Sequence, residues 1–192
     1  MSLYLTPEVL VSAYTQGYFP MADPSDGEIY WHTPDPRAIF PLETLKTPRS
    51  IRQAVRKEGF EFRYDKDFEQ VIQLCSQRED TWIDDEIVFA YTSLYDLGLA
   101  HSVETYKNDK LVGGLYGVSI GAAFFGESMF SLISNASKAA FFELVGHLRK
   151  KGFILLDSQY LNDHTALLGA KEVEYKEYIG LLHKAIEMNV RF

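Results

Sequence analysis

The sequence predicts an α+β fold built on a mixed sheet. Two observations lead there. The elements run in the order helices, antiparallel meander, long amphipathic helix, buried strand and final helix. Hydrophobic residues make up 46% of 192 and charged residues 24%, enough apolar side chains to bury a core around such a sheet.

The first element begins at Thr6-Pro7-Glu8. Thr caps, Pro suits a first helical turn, and Glu meets the positive end of the helix dipole. This helix is expected to reach about Gln16, with Gly17 ending it. The segment from Tyr18 to Pro48 holds six of the seven prolines and reads as irregular chain with short strands at 29–32 and 38–40. It is long for a passive loop and suits a segment wrapped around a site. Helices follow at about 49–58, 66–77 and 85–97, with a strand at 60–64. Residues 101–107 and 110–118 read as strands joined by the turn Asn108-Asp109, and 122–127 as a third. Between 137 and 151, Phe141, Leu144, Val145 and Leu148 share one helix face, and Arg149, Lys150 and Lys151 load its C-terminal end. Gly152 stops that helix. Residues 153–159 form a buried strand and 175–188 a last helix. There is no internal repeat.

Composition narrows the function. The net charge of −8 counts against a protein that coats nucleic acid. It leaves room for a local basic patch on one RNA end, and it suits a positively charged acceptor. The single cysteine, Cys75, cannot form an internal disulfide, so a cytoplasmic enzyme is expected. No secretory signal is evident and no apolar run approaches the ~20 residues of a membrane span, so no membrane partner is expected. Aromatic residues reach 14%, which fits either a Phe-rich core or a ring-lined pocket.

Four places could carry chemistry. Glu127, in Gly126-Glu127-Ser128-Met129-Phe130-Ser131, is flanked by rings where an unpaired charge is costly, or else it ends a strand. Asp157 and Gln159, two apart on a buried strand, would point to the same face at its end. Asn162-Asp163-His164 offers a base in His164, or a helix cap. Arg49, Arg52 and Arg56, spaced by three and four, share a helix face that suits phosphate oxygens or simply solvent. No metal-ligand spacing occurs, and no Ser/His/Asp arrangement can be read.

Together these strings carry a resemblance. Tyr14-Thr15-Gln16-Gly17-Tyr18-Phe19-Pro20 and Trp31-His32-Thr33-Pro34-Asp35-Pro36-Arg37-Ala38 resemble entry motifs of the leucyl/phenylalanyl-tRNA–protein transferases. Thr81-Trp82-Ile83, His101-Ser102-Val103-Glu104 and Leu111-Val112-Gly113-Gly114-Leu115-Tyr116-Gly117-Val118 are similar to that family in order. So are the Glu127 stretch, Ala136-Ser137-Lys138, Asp157-Ser158-Gln159 and Asn162-Asp163-His164. The resemblance implies a small N-terminal lobe (1–60) and a GNAT-like catalytic domain (61–192). It implies transfer of Leu or Phe, and less well Met, from aminoacyl-tRNA to proteins with N-terminal Arg or Lys, which marks them for N-degron proteolysis. No cofactor, metal or nucleotide is implied.

The reaction is aminolysis of an activated ester, by an amine whose reference pKa is about 7.7–8.0. Alignment and oxyanion stabilisation matter more than strong base chemistry. The resemblance assigns Asp157 and Gln159 to catalysis: Gln159 is expected to bond the incoming amine and Asp157 to polarise or orient it. Glu127 is expected to hold the substrate's α-amino group or its terminal adenosine. Trp82, Leu115, Phe124, Met129 and Leu156 are expected to line the amino-acid pocket, and Arg49, Arg52 and Arg56 to meet tRNA phosphates. Three places depart from the family pattern: a Gly-Gly-Asp start is missing, Met21 stands for the usual Trp, and Val173-Glu174-Tyr175 for Ile-Pro-Arg. An acetyl-CoA enzyme is disfavoured because Glu127 to Lys138 holds no glycine for a pyrophosphate turn.

Overall fold

The computed structural model describes residues 5–23, 25–77 and 83–192. Thr6 caps α1 (Pro7–Thr15) by accepting the Val9 N–H. Gly17, in the left-handed region at φ +84°, turns the chain into β1 (Phe19–Ala22). That strand pairs antiparallel with β2 (Ile29–His32) as a separate ribbon. Next come β3 (Arg37–Phe40), α2 (Arg49–Glu58), β4 (Glu61–Tyr64), α3 (Phe68–Ser76) and α4 (Asp85–Asp96). The meander is β5 (Ala100–Lys107), β6 (Lys110–Ile120) and β7 (Ala123–Ser131). The chain finishes with α5 (Ala136–Lys151), β8 (Leu155–Gln159), α6 (Asp163–Leu168), β9 (Lys171–Val173) and α7 (Tyr175–Ile186).

Among the described residues, seven strands form one mixed sheet in the order β4-β5-β6-β7-β8-β3-β9. Only the β7–β8 pair is parallel; the other pairs are antiparallel. The α+β class with a mixed sheet is therefore as expected. β3 lies inside this sheet between β8 and β9, and α2 packs on α5, although both precede the expected lobe boundary at residue 60.

Strand alternation builds two cores, one on each face of the sheet. Tyr116, Phe125 and Leu155 face α1, α3, α4 and α7. Their neighbours Leu115, Phe124 and Leu156 face α2 and α5. The sheet comes very close to α5 at Gly113. A Cβ there would lie 2.5 Å from the Ala136 Cβ and 2.8 Å from its carbonyl carbon. Gly113→Ala is accordingly expected to lose about 1–3 kcal/mol of stability, read as a lowered midpoint in urea unfolding.

Candidate active site

β7 and β8 hold together only along Ala123–Leu155, Phe124–Leu156 and Phe125–Asp157. Beyond Phe125 and Asp157 both strands continue, but they no longer pair with each other. A cavity of about 390 Å³ opens at this fork, between Gly126–Met129 on one side and Asp157–Gln159 on the other. Leu115, Met129, Phe141, Leu144 and Leu156 give it an apolar wall, and Phe19, Met21 and Tyr160 close another side.

Two bulges shape the fork. Gly117 pairs with Gly126 and Tyr116 with Ser128, which leaves Glu127 as the extra residue of β7. Ala38 pairs with Gln159 and Ile39 with Asp157, which leaves Ser158 extra in β8. A bulge rotates the strand locally and re-aims a side chain. Glu127 is aimed at two tyrosines: Tyr14 of α1 donates to Oε1 at 2.7 Å and Tyr91 of α4 to Oε2 at 3.2 Å. The two phenol oxygens are also within bonding distance of each other, and since each carries one proton, a phenol that donates to the other gives up its bond to Glu127. Gln159 Nε2 reaches Glu127 Oε1 at 3.3 Å. Burial pushes the Glu127 carboxyl up to about 7, against the lowering effect of the tyrosine hydrogen bonds. The same burial, with the Glu127 charge adding to it, raises Tyr14 and Tyr91 well above the usual phenol range, so both remain donors.

Asp157 is differently placed. It has no exposed surface, and both of its oxygens are occupied. Arg37 forks onto it through Nε at 3.0 Å and Nη2 at 2.7 Å, Tyr178 donates at 2.8 Å, and the Gln159 N–H donates at 2.9 Å. The pair expected from strand spacing is therefore joined backbone to side chain. Gln159 itself has a positive φ of 58° and ends the strand geometry there.

The structure brings Glu127, Asp157, Gln159, Leu115, Met129 and Leu156 together around one cavity. Phe124 is not in its wall, a correction to the expected lining. It lies where β7 and β8 are still paired, wholly buried, with Phe192 stacked on it at 5.5 Å. Trp82 lies outside the described residues. Arg49, Arg52 and Arg56 are exposed along α2, and Arg52 donates to the Thr47 carbonyl. A second cavity, about 610 Å³, lies between α2 and the turn into α5, lined by Ser50, Lys57 and Asn135 among others. In the Asn162-Asp163-His164 triplet, Asn162 caps α6 through a capping box with Thr165, while His164 borders the main cavity. Met21 also borders it, so its difference from the family's Trp falls on the site. Tyr175 N–H donates to Asp35 at 3.3 Å, and Val173 pairs with Arg37.

Sequence reasoning had given no role to Tyr14, Tyr91, Arg37 or Tyr178. Tyr14 follows Leu10 by one helical turn, and Tyr91 follows Ile87 likewise, a spacing that signals only a buried face.

Comparison with known proteins points one way. The model for leucyl/phenylalanyl-tRNA protein transferases matches residues 39–183, and that for their N-terminal domain matches residues 4–35. A leucyl/phenylalanyl-tRNA–protein transferase of Gloeobacter violaceus is 48% identical over 192 residues, the whole of both chains. One from Chlorobium limicola is 47% identical over 187 residues, 95% of this chain and 96% of that relative. Among solved structures, FemX has a TM-score of 0.54 at 14% identity, covering 87% of this chain and 66% of that one, a likeness of fold alone. With close to half its residues identical to such relatives along nearly their whole length, the chain belongs to the leucyl/phenylalanyl-tRNA–protein transferase family and is an aminoacyltransferase.

Proposed function

We propose that the fork between β7 and β8 transfers leucine or phenylalanine, and less well methionine, from aminoacyl-tRNA to the N-terminal Arg or Lys of acceptor proteins, marking them for N-degron proteolysis in the cytoplasm. The observation that carries this reading is Glu127. It is a carboxyl raised to about 7 at the end of an apolar cavity, within reach of a side-chain amide. Such a group takes a proton near neutral pH without strong base chemistry. The acceptor amine attacks the ester carbonyl, an amide bond forms, and the ester bond to the ribose oxygen breaks. The proton released by the amine passes to Glu127 and on to the ribose oxygen. Gln159 orients the amine, and Asp157 acts by holding Gln159.

The apolar wall of Leu115, Met129 and Leu156 would take the aminoacyl side chain. A wall of this kind, with no β-branched residue among the three, favours Leu, Phe and Met over β-branched residues by shape. Met129→Phe narrows this wall and is expected to shift kcat/KM about tenfold from Phe-tRNA towards Leu-tRNA, measured as a ratio in competition. The exposed arginines of α2 suit the phosphates near the tRNA 3′ end; of the basic residues of that helix only Lys57 lines the second cavity. Replacing Arg49, Arg52 and Arg56 by Ala is expected to weaken aminoacyl-tRNA binding. The slope of log affinity on log salt should fall by about 2–3 as well. A loss that ignored salt would count against phosphate contact. The forked parallel strands support a GNAT-like catalytic domain, whose sheet includes β3 of the N-terminal segment.

Substrate panels test the reading. Labelled Leu-, Phe-, Met- and Val-tRNA are each offered to model proteins beginning with Arg, Lys or Met. Transfer from the first three, to Arg and Lys starts alone, is the expected result. Equal transfer to a Met start would refute the acceptor assignment.

A further inference from the structure

We propose that Arg37 and Tyr178 are positioning residues for transfer: with Asp157 they form a buried clasp that holds Gln159 in the orientation in which it meets the attacking amine. This rests on the reading of the cavity given above. Arg37 comes from β3 and Tyr178 from α7, and neither has any exposed surface. The Arg37 guanidinium lies 4.8 Å from the Phe19 ring centre and 4.5 Å from that of Tyr178. Its Nη1 donates to the Gly17 carbonyl at 3.0 Å. The clasp therefore ties the end of α1, β1, β3, β8 and α7 to one carboxylate.

Stability alone does not call for such a clasp. Apolar residues of similar volume commonly replace a buried ion pair without loss. What the fork adds is direction, because two parallel N–H···O bonds fix the carboxylate in its plane. Asp157 Oδ1 then accepts the Gln159 N–H, holding that residue at φ +58°, a region an L-residue enters only when its surroundings impose it. In this conformation the Gln159 amide reaches Glu127 across the fork. Asp157 has no exposed surface and is held by Arg37, Tyr178 and the Gln159 N–H, so it acts on Gln159 rather than on substrate, whereas Glu127 is only partly buried at the cavity.

The test is single-turnover transfer by the full chain, from Leu-tRNA to an acceptor peptide with an N-terminal Arg. Arg37→Lys and Tyr178→Phe are made in the wild-type and Gln159→Ala backgrounds, and folding is followed by thermal unfolding. Arg37→Lys is expected to lower the rate about 10- to 100-fold and Tyr178→Phe about 3- to 10-fold, with the Kd for aminoacyl-tRNA changed less than about twofold. In the Gln159→Ala background the same substitutions are expected to cost less than about twofold, because residues acting through one group do not add. Equal penalties in both backgrounds, or none in either, would overturn the clasp. Tyr178→Phe removes a single hydroxyl, so it decides the matter even if Arg37→Lys fails to fold. An inert wild-type protein overturns the reading of the site itself, whereas an active wild type with unaffected variants overturns the clasp alone.

Discussion

Glu127→Gln is expected to lower the transfer rate about 10²- to 10⁴-fold, the usual weight of a positioned proton acceptor, while the fold is kept. Gln fills the same space and can still accept from one tyrosine, so the loss isolates the proton step. In the wild type, kcat/KM should fall as pH drops below about 7, where Glu127 takes up its proton. The variant should keep only the limb set by the acceptor amine, whose reference pKa is about 7.7–8.0. Stability moves the other way. Burial pushes the folded carboxyl up to about 7 from its ordinary value of 4.5, so the native state binds the proton more tightly than the unfolded chain. The stabilisation from its protonated form is complete below about 4.5 and is lost as pH rises through about 7. Above pH 7, Glu127→Gln is thus expected to be more stable than the wild type by at most about 3 kcal/mol. Urea unfolding at pH 5 and pH 8 checks the sign.

Asp157→Ala has the largest expected effect on folding. It leaves the Arg37 guanidinium buried and without its carboxylate, a defect that typically costs about 3–5 kcal/mol. Transfer should fall at least about 100-fold in the fraction that remains folded, because Gln159 loses the acceptor for its N–H. Joint replacement, Arg37→Met with Asp157→Leu, should recover most of the stability and none of the transfer. Denaturant midpoints and transfer rates on the same preparations separate the two effects. Recovery of transfer along with stability would mean that the pair serves only the fold.

Much of the architecture was legible because long elements show their period. α5 and the meander follow the expected positions within a few residues. The short strands β2, β3 and β4 also lie where strands were expected, at 29–32, 38–40 and 60–64, but other short or exceptional elements were not legible. β1 contains Pro20, which reads as a strand breaker yet is tolerated in a two-stranded ribbon. α6 has six residues and β9 three, too few to show a pattern. α3 starts two residues later than expected. The N–H groups of Lys66 and Asp67 are taken by the distant Glu104 carboxylate, and no local cap drew attention to the start. β7 runs on to Ser131 because the bulge at Glu127 restores pairing beyond it, and a bulge leaves no mark on residue types.

The site shows the same division. Glu127, Asp157 and Gln159 stood out as polar residues at the ends of apolar strands. Their roles depended on partners far along the chain: Arg37 is separated from Asp157 by 120 positions, and Tyr14 from Glu127 by 113. No spacing rule reaches that far. Phe124 was misplaced because alternation gives the face of a strand but not where two strands part.

The most direct test of the account is to incubate the protein with Leu-tRNA and a peptide beginning with Arg, then sequence the product by tandem mass spectrometry. The expected product is leucine joined through a peptide bond to the former N-terminal Arg, formed by the wild type and about 10²- to 10⁴-fold more slowly by Glu127→Gln. An unmodified peptide after the wild-type protein has met Leu-, Phe- and Met-tRNA in turn would contradict it.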